Sequence, residues 1–346
     1  MATKPHIVIV IGMHRSGTSL AAEMLTRLGA WTRDRLLEAN EFNPRGYWED
    51  ADLVGLHDTI LATLDRSWGG IRASLPMPDG WLDNPAITEP RRELEAFIRA
   101  GVEAANGTPW MVKDPRVCRL LPLWQAIADD CGIRLAGVLC ARAPDAVAAS
   151  LEKRDDLPRA FGRLLWLVNN VDALTAGRDL VGASISYDRW FTAPATQAAI
   201  LAAAIGRTLS GAELAAATGV VSDTLRHHDS ILGHGMADQL YRQLDLWAEE
   251  GERPAALDDL ADCAVATLAD VAPWIESTND PEYLRDNLEV IAKEYRVAYH
   301  ASAAKCAELE TENNRLRSLV WRFERPLGAV RSLRRAIRPP VKRTAN

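Results

Sequence analysis

His6-Ile-Val-Ile-Val-Ile11, followed at once by Gly12-Met-His-Arg-Ser-Gly-Thr-Ser19, decides the architecture. Five β-branched residues run from Ile7 to Ile11 and stop at a glycine, the pattern of a strand buried on both faces. Beyond Ser19, apolar residues recur at Leu20, Met24, Leu25 and Leu28, a helical period closed by Gly29. Strand, glycine-bearing loop and helix together form the phosphate-binding opening of a parallel α/β domain. Gly12 and Gly17 stand at Walker A spacing, yet Thr18 occupies the place of the P-loop lysine. The loop therefore predicts an anion cradle of backbone amides at a helix N-terminus. It lacks the cation that a P-loop nucleotide hydrolase sets against the transferred phosphoryl group.

Outward from this unit, Trp110-Met-Val-Lys113, Leu135-Ala-Gly-Val-Leu-Cys140 and Val181-Gly-Ala-Ser-Ile-Ser-Tyr187 read as further strands with helical stretches between them. The expected fold is α/β: a three-layer, P-loop-type parallel sheet flanked by helices. From Pro194 to Asp270 the chain is rich in Ala and Leu and predicts helices only. A domain over residues 1–280 follows, with its motifs within residues 5–230. After the break at Asp280-Pro281, Leu309, Leu316 and Phe323 fall at d positions and Cys306, Asn313 and Val320 at a positions of a heptad. Residues 283–325 are thus expected to form a long helix or coiled coil, pairing two copies through residues 288–323. A single amphipathic helix packed on its own domain is the competing reading. Pro326 ends the heptads, leaving 326–346 as a basic, disordered tail.

Composition bounds the rest. The 346 residues are 48% apolar and 25% charged, the balance of a globular protein with an ample core. Net charge is -7, which argues against nucleic acid as a partner, but from Arg315 to Asn346 ten basic residues face one acid. That tail carries +9 and the body -16, and the tail suits reversible contact with an anionic membrane face. Five cysteines form no CxxC pair and no metal-spaced cluster, so neither a disulfide framework nor a metal site is expected. The apolar run at the N-terminus is too short for a signal sequence, and no run of eighteen apolar residues exists. A cytoplasmic location, at or near the inner face of the membrane, follows as the expectation.

Arg142 stands at the end of the third strand, and Ser150 lies eight residues on, two turns into the next helix. With Arg15-Ser16-Gly17-Thr18-Ser19, Arg142-Ala-Pro through Ser150, and Ile185-Ser-Tyr187-Asp188, the chain resembles the sulfotransferases that use 3′-phosphoadenosine 5′-phosphosulfate. The resemblance implies that donor with no metal. The first loop and Arg15 would lie at its sulfate end, Arg142 and Ser150 at its 3′-phosphate, and Tyr187 beside its adenine. The family's late R-K-G loop is absent, and Arg226-His227-His228 stands where a substitute would be sought.

Sulfuryl transfer needs a positioned donor, a cation at the bridging oxygen and a base for the acceptor hydroxyl. Arg15 and Lys113 are the candidate cations. The histidine that cytosolic relatives place two residues after the lysine is Pro115 here. Relatives of the heparan type use a glutamate after the first helix, which points to Glu49, at the start of an apparent helix, with Asp114 and His57 in reserve. Trp48, Asp114 and Arg116 are candidate acceptor contacts, and His14 reads as a structural donor. The tail Ser318-Leu-Val-Trp321-Arg-Phe-Glu-Arg-Pro326-Leu is similar to a motif of bacterial enzymes that build cell-surface polysaccharides, implying a carbohydrate or glycolipid acceptor. Two other classes remain open. A small-molecule kinase would need a lysine at position 18 and a magnesium-holding carboxylate, and a non-catalytic scaffold would have no use for Arg15, Arg142 and Ser150.

Overall fold

The computed structural model describes residues 4–40, 43–221 and 232–276. The heptads of 283–325, the basic tail and Arg226-His227-His228 lie outside the described residues. Strand β1 (His6–Ile11) enters the interior directly and ends at the loop that opens helix α1 (Thr18–Arg27). A long excursion through α2 (Ala51–Thr63) and α3 (Thr88–Ala105) leads to β2 (Trp110–Lys113). Helix α4 (Val117–Cys131) then connects to β3 (Arg134–Ala141), and α5 (Pro144–Asp155) and α6 (Arg159–Ala176) connect to β4 (Val181–Ser186). Helices α7 (Arg189–Thr192), α8 (Pro194–Ala204), α9 (Gly211–Thr218), α10 (Met236–Glu250) and α11 (Ala255–Glu276) follow. The four expected strands are all present, each within one residue of its expected bounds at either end.

The sheet is parallel throughout, in the order β2-β1-β3-β4. Alternation along the strands sends Val8, Val10, Met111, Val138, Cys140 and Ile185 to one face. There they bury against Leu20, Met24 and Leu25 of α1 and Ala198 and Leu201 of α8. Full burial of each such aliphatic side chain contributes about 1.5–3 kcal/mol, which is why an uninterrupted apolar run reads as central strand. Among the described residues no helix is long and apolar enough to cross a membrane.

This strand order fixes where a ligand can sit. The chain leaves β1 for β2 on one side and leaves β3 for β4 on the other, so the loops after β1 and β3 diverge. A crevice opens between them at the carboxyl ends of the strands. The two segments that border it are the loop 12–17 and Arg142.

Candidate active site

The loop after β1 is shaped by close approach. Gly12 has φ +146°, and a Cβ there would stand 2.5 Å from the Cys140 carbonyl oxygen, so the backbone can pass β3 only without a side chain. Its N–H donates to Cys118 Sγ at 3.2 Å. Gly17 has φ +85°, and a Cβ would meet the Tyr187 ring at 2.6 Å. Arg15, with φ 71°, is held in the left-handed region, a conformation that costs a non-glycine residue about 1–3 kcal/mol and persists where its surroundings impose it. There its Nε donates to Ser150 Oγ at 2.8 Å, tying the loop to α5. The two residues that the sequence separates by 135 positions thus meet.

Arg142, one residue past β3, is buried with its guanidinium carbon 4.3 Å from the centre of the Tyr187 ring. Nη1 donates to the Arg15 carbonyl oxygen at 3.2 Å. Nε and Nη2 are buried with no partner among the described residues, and so is the Ser16 hydroxyl. Burial holds the Arg142 pKa below its usual value. At Arg15 burial does the same, helped by the charges of Arg154 and Arg142. Buried guanidinium donors without an acceptor are destabilising unless a ligand satisfies them, and the fork geometry suits a phosphate.

At the end of β2, Lys113 Nζ bonds Glu49 Oε1, and Arg116 Nη1 lies 3.6 Å from Glu49 Oε2. Glu49 is not the start of a helix as its sequence suggested. Asp50 caps α2, its Oδ1 accepting from the Asp52 and Leu53 amides at 2.9 and 3.1 Å, and Glu49 is left just ahead of the cap, on the cleft wall. Behind these groups, Asp114 Oδ1 accepts from the Arg116 amide and Nη1, while Asp114 Oδ2 pairs with His57 Nδ1 at 2.8 Å. Trp124 Nε1 donates to His57 Nε2 at 3.0 Å, so the His57 proton sits on Nδ1, facing Asp114. Burial raises the Asp114 pKa, but the hydrogen bond from His57 Nδ1 and the charge and hydrogen bonds of Arg116 outweigh it and hold the carboxyl below the usual range. Arg116 is also clamped by Asp58 at 2.6 and 3.2 Å.

These elements surround one cleft of about 500 Å³. Its lining carries six cations (Arg15, Arg45, Lys113, Arg116, Arg142, Arg154) against three acids (Glu23, Glu49, Asp155), on a chain whose net charge is -7. Gly17, Thr18, Ser19 and Tyr187 line it as well, whereas Ser16 and Ser150 stand behind the first row. Asp114 and His57 are fully buried, engaged by their neighbours, and outside the lining. They support Arg116 from beneath. Trp48 also departs from expectation. Its φ of 60° turns the ring onto the core packed around α1, and Tyr47 lines the cleft in its stead. Among the described residues no group of three or more His, Cys, Asp or Glu side chains is placed to hold a metal ion.

Sequence reasoning missed Arg154 and Trp68. Arg154 was findable, because it follows Ser150 by four residues and shares its face of α5. Trp68 sits in an irregular loop and carries no periodic signal.

No protein-family model matches the sequence, and no curated protein matches it. Among solved structures, the fold is similar to the sulfotransferase domain from the Synechococcus PCC 7002 olefin synthase. The match spans 78% of this chain and 96% of that one, at 16% identity and a TM-score of 0.38.

Proposed function

We propose that the chain is a sulfotransferase that binds 3′-phosphoadenosine 5′-phosphosulfate in this cleft and transfers its sulfuryl group to a hydroxyl. The observation that carries the reading is Arg142, whose Nε and Nη2 are buried without acceptors at the crevice between β1 and β3. Those two donors match a phosphate beyond the one that the loop amides cradle. Arg142 and Ser150 would hold the 3′-phosphate, Tyr187 the adenine, and Arg15 to Ser19 the phosphosulfate end. The bound donor supplies an activated sulfuryl group with a bisphosphate leaving group. Arg15 and Lys113 stabilise negative charge on that leaving group, a task for preorganised cations in a cleft shielded from water. Glu49 takes the proton of the acceptor hydroxyl at Oε1 or Oε2, with Lys113 and Arg116 orienting the carboxylate. Thr18 in the place of a lysine speaks against a kinase.

The acceptor is proposed to be a carbohydrate or glycolipid hydroxyl, on the strength of the motif at Ser318–Leu327. The basic tail would hold the enzyme at an anionic cytoplasmic membrane face, and residues 288–323 would pair two copies. Calorimetric titration tests the central point. The wild-type chain should bind adenosine 3′,5′-bisphosphate more tightly than adenosine 5′-monophosphate. Arg142→Ala should lose roughly 1.5–3 kcal/mol with the bisphosphate, the value of a charge-assisted hydrogen bond, and little with the monophosphate. Equal losses, or tighter binding of magnesium-ATP than of the phosphosulfate donor, would overturn the reading.

A further inference from the structure

Trp68, His14 and Arg154 line the cleft but have no part in holding the donor as described above. His14 is buried, and its Nδ1 lies 3.0 Å from Arg154 Nη2. A guanidinium only donates, so Nδ1 must be the acceptor and the neutral ring carries its proton on Nε2. That Nε2–H is buried and has no acceptor among the described residues. Burial keeps the ring uncharged, reinforced by four cations: Arg154, Arg15, Lys113 and Arg116. Arg154 is already paired with Asp155 through Nε and Nη2, at 2.7 and 2.6 Å, which leaves its Nη1 for a ligand. The acceptor missing at His14 Nε2 is then an oxygen that a ligand brings, and beside Arg15, Lys113 and Arg116 a negatively charged one fits best.

Trp68 supplies a different kind of surface. It is 41% exposed, one of two large apolar side chains left so open among the described residues. Its loop is anchored by Arg66, whose Nε donates to the Pro76 carbonyl at 2.7 Å, and by Ser67 Oγ donating to the Gly69 carbonyl at 2.6 Å. The indole stands edge-on to His14, ring centres 5.4 Å apart at 71°. The guanidinium carbons of Arg116 and Arg154 lie 5.0 and 5.9 Å from its centre. Arg116 in turn reaches Glu49. The open indole is thus one guanidinium away from the proposed base, where an acceptor ring must lie. A tetrahedral sulfuryl group gains little from a flat apolar surface, whereas the C–H face of a pyranose is complementary to it.

We infer that Trp68, His14 and Arg154 form an acceptor subsite for an acidic sugar. Its ring lies on the indole, and its carboxylate accepts from His14 Nε2–H and from Arg154. The assignment of this sugar as the acceptor rests on the sulfotransferase reading; the binding of the sugar does not.

Saturation-transfer NMR titrations of the full chain, in the presence of adenosine 3′,5′-bisphosphate, test the subsite with methyl β-D-glucuronide and methyl β-D-glucoside. The wild type should bind the glucuronide at least about 10-fold more tightly, since each of its two charge-assisted contacts contributes on that order. Trp68→Ala should weaken both glycosides. Arg154→Ala and His14→Asn should each weaken the glucuronide alone, towards the level of the glucoside. His14→Gln, whose amide nitrogen reaches the place of Nε2, should retain most of the preference, which a packing role for His14 would not explain. An unchanged thermal melting curve identifies variants that remain folded. Equal binding of the two glycosides, binding of neither, or a His14→Asn chain indistinguishable from wild type would overturn the inference. Failure of the bisphosphate to bind the wild type would instead strike the donor reading, and the two failures are read separately.

Discussion

Glu49 stands where Lys113 and Arg116 converge, and Asp114 lies directly behind Arg116, so the two carboxylates have separable duties. Glu49→Gln keeps the shape but removes the proton acceptor. Turnover should fall about 10²–10⁴-fold while bisphosphate affinity stays as in wild type. Asp114→Asn leaves Glu49 in place but loosens Arg116 and unbalances a buried pair, so its first effect is on stability, a loss of about 1–3 kcal/mol at neutral pH. The sign with pH follows from the depressed Asp114 pKa. The carboxylate contributes stability above the ordinary Asp range and loses it as pH falls towards the folded-state pKa, so wild type and Asp114→Asn should converge in acid. Denaturant unfolding across pH, with parallel rate measurements, checks both. A stability gap that widens in acid would contradict this, and an active Glu49→Gln beside an inactive Asp114→Asn would transfer the role of base. The resemblance pointed to Glu49 in the sequence, but nothing there put it beside Lys113 and Arg116 or told it from the cap. That distinction depends on which of two adjacent carboxylates turns back to the helix amides, and Asp50 does so because its short side chain reaches them.

The strand, loop and helix from His6 to Arg27 form the element most fully legible in advance, because every feature of it is local: an apolar run, two glycines and a helical period. The order of the strands was not legible, since long crossovers allow either neighbour, and the order is what sets Arg142 beside Arg15. Nor could the sequence show that Trp48 would adopt φ 60° and surrender the cleft to Tyr47, a consequence of how the segment between α1 and α2 closes over the sheet. Gly17 tests the element as a whole. Gly17→Ala would force a left-handed alanine, at about 1–2 kcal/mol, and press its methyl against the Tyr187 ring. Tyr187 also lies against Arg142, so the damage should pass to the nucleotide site. We expect a lower melting temperature together with at least 10-fold weaker bisphosphate binding, the order of a lost charge-assisted contact. A variant that melts earlier yet binds as wild type would show that Tyr187 does not order the site.

At the scale of the molecule, the chain divides its charge, an acidic body of -16 followed by a tail of +9. The residues proposed to hold the donor all precede residue 230, whereas the heptads and the basic tail follow Tyr283, so cutting after Asn279 should separate binding from association. The cut must leave α11 intact. Leu257, Leu260, Ala264, Leu268 and Ile275 of that helix are buried, and it packs on α6 and α10. Removing it would expose several side chains worth about 1.5–3 kcal/mol each, more than a typical domain can lose. A chain of residues 1–279 should therefore bind adenosine 3′,5′-bisphosphate as the full chain does, run as a monomer in light scattering, and fail to sediment with phosphatidylserine vesicles. The full chain should run as a dimer and sediment with them at low salt. It should be released as salt rises, because contacts of about 1 kcal/mol per basic residue are screened within a Debye length. A soluble 1–279 chain that still dimerises would place the interface on the α/β body. An insoluble one would show that residues beyond 279 complete the core, and the boundary near 280 would then be wrong.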